Sequence, residues 1–508
     1  MGEEFCKKNY TCERCGAIFK QKSHYDNHIN RKNKCKDKNE DIENIIKKKV
    51  SQLVPQYSEL SKHITSILTK KEKKKNGIYF SPFNIIKKTC DTVSDYIHLN
   101  NLHIKDILEP SCGSCEIINY INNIYNDVNI DGIEYDNTIF NNIKDIKFGD
   151  TNNVNLLNMD YLNYTITKKY DLIITNPPYF IIKKEEVDKK YYKYFDGRPN
   201  IFVLFIIHSL FKLNDNGILA FILPKSFCNC LYYNNLRVYI NKNYKIIDVF
   251  DCSNEKYLET EQDTIILIIQ NTKKFNNKEY IYINDDILLI NTKKNIKKIN
   301  ELLKNSTTLK KLNFNVNVGN VVWNQCKDLL TDDTSKTRLI YSSDIVNGEL
   351  KMKKYKNDTK KNFIELEGLS GPLIVVNRGY GTGEYNFNFC IIDCKDEYLI
   401  ENHLIMIQYN EESSNLMDKY GYYKVKELNK ILDSMPNTNS KGGGTKFKKI
   451  KKIIDNGGES LLVSIINNKY EQIINSFKNV KTQQFVELYC CNSAMNCMEL
   501  HTVLPIYI

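Results

Sequence analysis

The sequence predicts an α/β protein: a mostly parallel sheet with helices on both faces, a small metal-stapled finger before it and a mixed α+β domain after it. Three observations carry this. From about residue 78 to 270, short apolar runs with strand character alternate with helical patterns, as in a sheet built with crossover connections. Near the N-terminus a C-x2-C pair is followed by a histidine and a cysteine at metal-ligand spacing. Beyond residue 300 the alternation stops, and short strands and turns take over. A chain of 508 residues exceeds one ordinary domain. The expected division is 8–37 finger, 38–75 helical linker, 76–275 sheet domain and 295–508 C-terminal domain.

In the finger, Cys12 and Cys15 form the knuckle, twelve residues separate Cys15 from His28, and six separate His28 from Cys35. Tyr10, Phe19 and Tyr25 fall where a metal-centred mini-core needs apolar groups. So small a unit folds only with its metal, so structural zinc on Cys12, Cys15, His28 and Cys35 is expected. His24 and Cys6 are alternative ligands. Lys20, Lys22, Arg31 and Lys32 could serve DNA, and a protein-binding finger fits equally well.

Charge and cysteine usage bound the rest. The net charge of +11 comes from 72 basic and 61 acidic residues, a modest excess that permits a polyanionic partner without requiring one. Lysine runs at 70–75 and 446–452 read equally well as solvated faces. The abundance of Lys, Asn and Ile reads as codon bias. The N-terminus lacks an apolar signal core, and no run is long enough to span a bilayer. The expectation is an intracellular chain with no membrane partner. Most of its 16 cysteines are then reduced, and Cys228, Cys230, Cys490 and Cys491 act as small buried hydrophobes.

In the sheet domain, strands are expected at 104–108, 130–133, 171–175, 217–222, 246–250 and 264–269, and ligands at their C-terminal ends. DILEPSCGSCEII (106–118) runs from a strand through Glu109, Pro110, Ser111 and Gly113 into a helix. DGIEYD (131–136) puts Glu134 at a strand end, where an acid can accept both ribose hydroxyls. NMDYL (158–162) places Asp160 and Tyr161 to grip an adenine ring. Together these describe an adenosine site, and the P-loop pattern of a diphosphate site is missing.

DLIITNPPYF (171–180) ends an apolar strand at Asn176-Pro177-Pro178-Tyr179. The two prolines stiffen the backbone and remove two amide donors. The Pro177 carbonyl and the Asn176 side-chain oxygen can then accept both N–H bonds of one amine, whose lone pair is aimed at a sulfonium methyl. No strong base is needed, because the amine turns acidic only after attack. Tyr179 offers a face for a planar base.

From about residue 76 onward the chain resembles the gamma class of N6-adenine-specific DNA methyltransferases. The resemblance implies a Rossmann-like S-adenosylmethionine-dependent sheet and a target-recognition domain. NGIYFSPFNII (76–86) matches the family's segment over the cofactor's methionine, through Tyr79, Phe80, Ser81 and Pro82. Glu109, Pro110, Ser111 and Gly113 match the loop under its amino-acid moiety, Glu134 the ribose ligand, Asp160 and Tyr161 the adenine clamp, and 176–179 the catalytic loop. In 197–227, Asn200, Phe202 and Phe205 read as core and loop-shaping residues. The match at 256–269 makes Tyr257 the second aromatic against the flipped base. One departure is Ser114-Cys115, where the family carries a further small or glycine pattern; weakened cofactor binding is the expectation.

The C-terminal stretches NVGNVVWN, LIYSSDI, LIVVNRGYGTGEYNF, YLIENHLIMI and the closing ELHTVLPIYI resemble the recognition domain. Trp323, Arg378, Tyr380 and glycines 379, 381 and 383 are its candidate DNA-facing residues, with a plain hairpin turn as the alternative reading of the glycine loop. The partner implied is double-stranded DNA, with cleavage left to a separate restriction endonuclease. Two alternatives stay open: the same fold acting on RNA or protein glutamine, and a catalytically dead DNA-binding relative.

Overall fold

The computed structural model describes residues 10–12, 17–19, 21–30, 56–165, 167–284, 287–353, 355, 360–379, 385–394, 396–409, 458–490 and 494–508. The chain divides into two compact units: 1–165 with 174–178 and 255–261, and 166–173 with 179–254 and 262–508.

In the first unit the finger segment is a hairpin and a helix. Strands β1 (Tyr10–Thr11) and β2 (Ile18–Phe19) pair antiparallel, and the helix Lys22–Ile29 follows. The Tyr25 ring lies 5.9 Å from that of Tyr10 and 6.2 Å from that of Phe19, so the three expected core positions do meet.

The same unit holds three parallel strands, β3 (Asp106–Glu109), β4 (Asn129–Glu134) and β5 (Asn153–Asn158). Register pairs Glu109 with Gly132 and Glu134 with Asn158, so the strand ends that carry the motifs finish at one edge. The helix Phe83–Leu99 buries Ile85, Ile86, Thr89, Cys90, Val93 and Ile97, a stripe with helical spacing. Pro82 opens it, where a missing amide leaves no helical bond unmade. Residues 59–76, in the stretch expected to be a helical linker or an embracing helix, are two helices of this unit. Lys73, from the lysine run, is buried and pairs with Glu259 at 2.6 Å. The Ser58 and Ser61 hydroxyls donate to Glu116. Short polar side chains with specific partners thus bring this stretch into the fold.

Strand β6 (Tyr170–Thr175) is common to both units. The first carries the order β5-β4-β3-β6, and the second continues from β6 through β7 (Leu213–Pro224) and β9 (Thr264–Gln270) to β8 (Lys245–Asp251). The six strands expected all run close to their positions, and β5 is the seventh. The sheet is mixed, however, because β9 lies between β7 and β8 and is antiparallel to both. The twelve residues between β8 and β9 form no helix, so they reverse the chain instead of carrying it across.

The second unit continues as a hairpin, β10 (Ile281–Asn284) and β11 (Ile287–Ile290), then the helix Lys293–Leu302. Next come β12 (Phe314–Val318), β13 (Leu330–Thr331), β14 (Thr337–Ile340), β15 (Ile345–Val346), β16 (Glu349–Leu350), β17 (Phe363–Ile364), β18 (Leu373–Asn377), β19 (Phe389–Ile392), β20 (Tyr398–Ile400) and β21 (Leu404–Tyr409). They form an antiparallel sheet β12-β21-β18-β19, a mixed sheet β13-β17-β14-β20 and the hairpin β15-β16. The closing helices Gly458–Lys478, Val480–Cys490 and Cys497–Thr502 contribute Phe477, Phe485 and Leu500 to a core with Phe314, Val376 and Ile405. Beyond residue 280 the described residues thus hold both strands and helices. Cys228 and Cys490 are buried and Cys230 half-buried, while Cys491 lies outside the described residues. Among the described residues, no helix is long and apolar enough to cross a membrane.

Arg237 is fully buried in the second unit. It donates to the carbonyls of Leu288 at 2.6 Å, Cys230 at 2.8 Å, Phe227 at 2.9 Å and Asn229 at 3.2 Å, and to Asn234 Oδ1 at 3.3 Å. No neutral residue can serve five acceptors spread over three segments. Arg237→Leu should lower the unfolding free energy by about 3 kcal/mol or more, because it leaves buried carbonyls unsatisfied. Arg237→Lys should recover little of that. Denaturant midpoints for the two variants check this, and an unchanged midpoint in either would contradict it.

Candidate active site

The carboxyl edge of β3, β4 and β5 gathers three motifs. Glu134, at the end of β4, is 7 % exposed. Its Oε2 accepts from the Gly113 amide at 2.9 Å and its Oε1 from the Asp136 amide at 2.8 Å. Burial pushes its carboxyl up to about 7, although those amides favour the charged form. Glu109, at the end of β3, is 2 % exposed, and its Oε2 has no hydrogen-bond partner. Burial pushes this carboxyl up as well, with the Cys115 thiol adding to the shift. A buried acceptor left unsatisfied is costly in a finished core and useful where a donor is to arrive.

The loop after β3 is shaped by two residues in the left-handed region. Gly113 has φ +50°, and a Cβ built there would lie 3.0 Å from Cε1 of Phe80. Cys115 has φ +62° at the start of the helix Glu116–Asn122, a backbone state that glycine adopts without penalty. The departure noted in the sequence thus sits at a position whose geometry favours glycine. Cys115 is fully buried, and its amide donates to the Cys112 carbonyl at 2.7 Å. The Ser114 hydroxyl meets that of Ser61 at 2.7 Å.

Asn176 begins the tip of β6. Its Nδ2 donates to the Tyr79 carbonyl and to Ser81 Oγ, both at 2.9 Å. Ser111 Oγ lies 2.7 Å from Thr175 Oγ1 and donates to the Asn176 carbonyl at 3.0 Å. Segments near residues 80, 111 and 176 therefore meet. With both amide hydrogens committed, the side-chain oxygen of Asn176 is the end turned away from residues 79–81. Pro177 is buried and Pro178 half-buried.

Beside Glu134 lies a cavity of about 430 Å³ lined by Tyr135, Asp136, Asn137, Thr138, Asn158, Met159 and Asp160. Asp136 caps the helix Asn137–Ile143 through the amides of Thr138 and Ile139. Asp160 caps the turn Tyr161–Asn163 through the Leu162 amide at 2.9 Å. That turn carries the Tyr161 ring into the core, where it is 1 % exposed and absent from the cavity lining. An aromatic ring that does line the cavity is that of Tyr135, 69 % exposed. Its position directly after Glu134 in DGIEYD was the available signal.

Residues 97–258 match the family model described as Eco57I restriction-modification methylase. The chain is 27% identical over 375 residues to Type II methyltransferase M.CvrRI of Paramecium bursaria Chlorella virus XZ-6E, covering 72% of this chain and 92% of that one. It is 28% identical over 368 residues to Modification methylase CviBIII of Paramecium bursaria Chlorella virus NC1A, covering 70% and 88%. Among solved structures, a cryoEM DrdV-DNA complex shows 12% identity and a TM-score of 0.45 over 74% of this chain and 53% of that one. The sequence matches support an S-adenosylmethionine-dependent methyltransferase of the restriction–modification kind.

Tyr79 and Phe80 are half-buried, Ser81, Pro82 and Pro110 buried, and all five lie in the unit that holds Glu109, Gly113, Glu134 and Asn176. Tyr257, in that unit too, is 8 % exposed. In the second unit, the Tyr179 hydroxyl donates to the Ile222 carbonyl at 2.8 Å, and its ring meets Phe202 edge-on. Phe202 and Phe205 are buried, and Asn200 caps the helix Ile201–Phe211. Arg378 is exposed and donates to the Asn402 carbonyl at 3.0 Å, and Trp323 is half-buried. Tyr380, Gly381 and Gly383 lie outside the described residues, as do Lys20, Arg31, Lys32, the 446–452 run and Cys6. Of the zinc ligands, Cys12 is buried and His28 sits 4.8 Å from the Phe19 ring, while His24 is exposed. Cys15 and Cys35 lie outside the described residues.

Two glycines of the first unit differ in what surrounds them. Gly149 has φ +83° with nothing within 4 Å of a built Cβ, whereas at Gly113 the Cβ also meets Phe80. Gly149→Ala should carry only the left-handed penalty, about 1 kcal/mol. Gly113→Ala should destabilise measurably more, and chemical-denaturation midpoints read the difference. Equal shifts would mean that Phe80 yields without resistance.

Proposed function

We propose that this chain transfers a methyl group from S-adenosylmethionine to the N6 amine of adenine in duplex DNA, with the target nucleotide turned out of the helix. The observation that carries the reading is the Asn176 amide, whose donors are fixed by Tyr79 and Ser81 at the tip of β6. In this reading Asn176 Oδ1 accepts one N–H of the target amine, and the Pro177 carbonyl accepts the other. Both hydrogen bonds strengthen as the amine becomes cationic, so they favour the transition state over the bound substrate. The Tyr179 ring, held by its hydroxyl at Ile222, gives the base a stacking face.

The residues at the strand ends fit the cofactor. Glu109 presents a buried acceptor with no partner, suited to the ammonium of the amino-acid moiety. Glu134 suits ribose hydroxyls. The cavity that includes Asp160, Met159 and the exposed Tyr135 suits an adenine ring. Tyr79, Phe80, Ser81, Pro82, Pro110, Ser111 and Gly113 complete its surroundings. When bound, the cofactor supplies an electrophilic methyl carbon on a sulfonium.

The region after residue 295 is read as the DNA-recognition part, with Arg378, Tyr380, Gly379 and Trp323 as contacts and Tyr257 as a second aromatic near the base. The relatives named as modification methylases support a restriction–modification role, with any cleavage left to a separate endonuclease and the chain inside the cell. For the finger we propose zinc on Cys12, Cys15, His28 and Cys35. The hairpin-and-helix backbone, the buried Cys12 and the His28 ring against Phe19 support it.

Two experiments test these readings. Labelled methyl transfer to duplex DNA, RNA and protein should favour duplex DNA and yield N6-methyladenine, and Asn176→Ala should reduce the rate by about 10³-fold or more. Calorimetry should still register cofactor binding in that variant. Methylation at the wild-type rate by Asn176→Ala, or a product on another base, would overturn the mechanism. Native mass spectrometry of the full chain should find one zinc ion, lost in Cys12→Ser; a zinc-free wild type purified without chelator would refute the finger assignment.

A further inference from the structure

Beyond Tyr179 the chain leaves the sheet in a lobe, residues 181–200, whose ends are tied together. Ile181 forms an isolated antiparallel bridge with Asn200. The Ile182 amide donates to the Pro199 carbonyl at 3.0 Å, and the Ile201 amide to the Phe180 carbonyl at 2.9 Å. Val187, Tyr191, Tyr194 and Phe195 are buried beneath the lobe, and the Tyr191 hydroxyl meets His208 Nδ1 at 3.0 Å. The lobe is therefore held on both its backbone and its side chains.

Ile181 breaks the pattern. Its β-branched apolar side chain is 67 % exposed, two residues after Tyr179, on backbone fixed by those ties. Single exposed apolar residues are common and need no explanation alone. Here the flanks supply a second observation. Lys183, Lys184, Lys189, Lys190, Lys193 and Arg198 all lie exposed in the lobe and outnumber its acids Glu185, Glu186, Asp188 and Asp196. Lys190 pairs with Asp188 at 3.0 Å and lies 5.0 Å from the Tyr191 ring centroid, and Lys183 pairs with Glu186 at 3.9 Å. Lys184 and Lys193 have their ammonium groups 4.9 Å from the ring centroids of Tyr192 and Tyr194. An apolar tip on a net basic lobe is how proteins that part base steps are built: cations hold the phosphates, and the tip fills the gap in the stack.

We propose that Ile181 is the wedge that occupies the base stack as the target nucleotide leaves it, with the lobe's lysines and Arg198 holding the flanking phosphates. This rests on the reading of the chain as a duplex-DNA methyltransferase. A wedge compensates for the stacking and pairing lost on extrusion, so its removal matters most for a paired target and least for one already mispaired.

The test uses the full-length protein and a duplex containing the site mapped by sequencing its methylated DNA. Ile181→Ala should keep the wild-type melting temperature and cofactor affinity, since the side chain is exposed. On the matched duplex its single-turnover methylation rate should fall about tenfold, and 2-aminopurine placed at the target should brighten less on binding than with wild type. With the target adenine mispaired, the rate should return to within about threefold of wild type. A wild-type rate on the matched duplex, or an equal loss on matched and mispaired duplexes, overturns the proposal. If the wild-type protein methylates no duplex DNA at all, the functional reading fails first and takes this inference with it.

Discussion

The Asn176 amide is the constraint on which the site depends. A primary amide can point either its oxygen or its nitrogen at a substrate, and only its surroundings decide. Here a carbonyl, Tyr79 O, and a hydroxyl, Ser81 Oγ, take both donors. Reversing the amide would set its oxygen against the Tyr79 carbonyl, so one orientation dominates. Ser111 adds a bond to the Asn176 carbonyl and another to Thr175. Three segments separated by tens of residues thus share one small network. Removing any member loosens the others, which is how a strand tip acquires the rigidity that oriented chemistry requires.

The neighbouring acids obey the opposite logic. Glu109 and Glu134 are both buried at strand ends, and burial pushes both carboxyls up. Glu134 is partly compensated by two amide donors, and Glu109 retains an oxygen without a partner. A core residue in that state would be replaced by something apolar of similar size. Two such acids make sense where an incoming ligand completes the hydrogen bonding, and the residues directly after Glu134, Tyr135 and Asp136, line a cavity of about 430 Å³. Cys115 adds strain to the same loop, since its φ of +62° is disfavoured for any residue bearing a Cβ.

Much of this was legible in the sequence because it was written in local patterns. The motif loops fall at strand ends, since a strand followed by a helix leaves the connecting turn nowhere else to go. The finger's rings meet as expected because their spacing is fixed by a hairpin and one helix. What failed to show were non-local facts. The antiparallel place of β9 depends on a connection without a helix, and its own apolar run reads the same in either direction. The place of Tyr135 at the cavity depends on how the ends of β4 and β5 come together, which no local pattern shows. The docking of residues 59–76 depends on Ser61, Glu116, Lys73 and Glu259 finding one another across long sequence separations.

The asparagine content makes a related point about composition. Read from the sequence it is codon bias, and the structure puts part of it to use. Asn129 Nδ2 donates to Asp106 and Asn153 Nδ2 to Asn129, while Asn155 Nδ2 donates to Asp131, so amides step across β3, β4 and β5. Asn158 Nδ2 reaches the Glu134 carbonyl at 2.9 Å, at the strand end where the cavity begins. Each such bond contributes only about 1 kcal/mol. Their value lies in register: a slip by one residue would break every rung at once and would also move Glu109 and Glu134 to the wrong face. These asparagines are thereby part of what keeps the carboxyl edge of the sheet aligned.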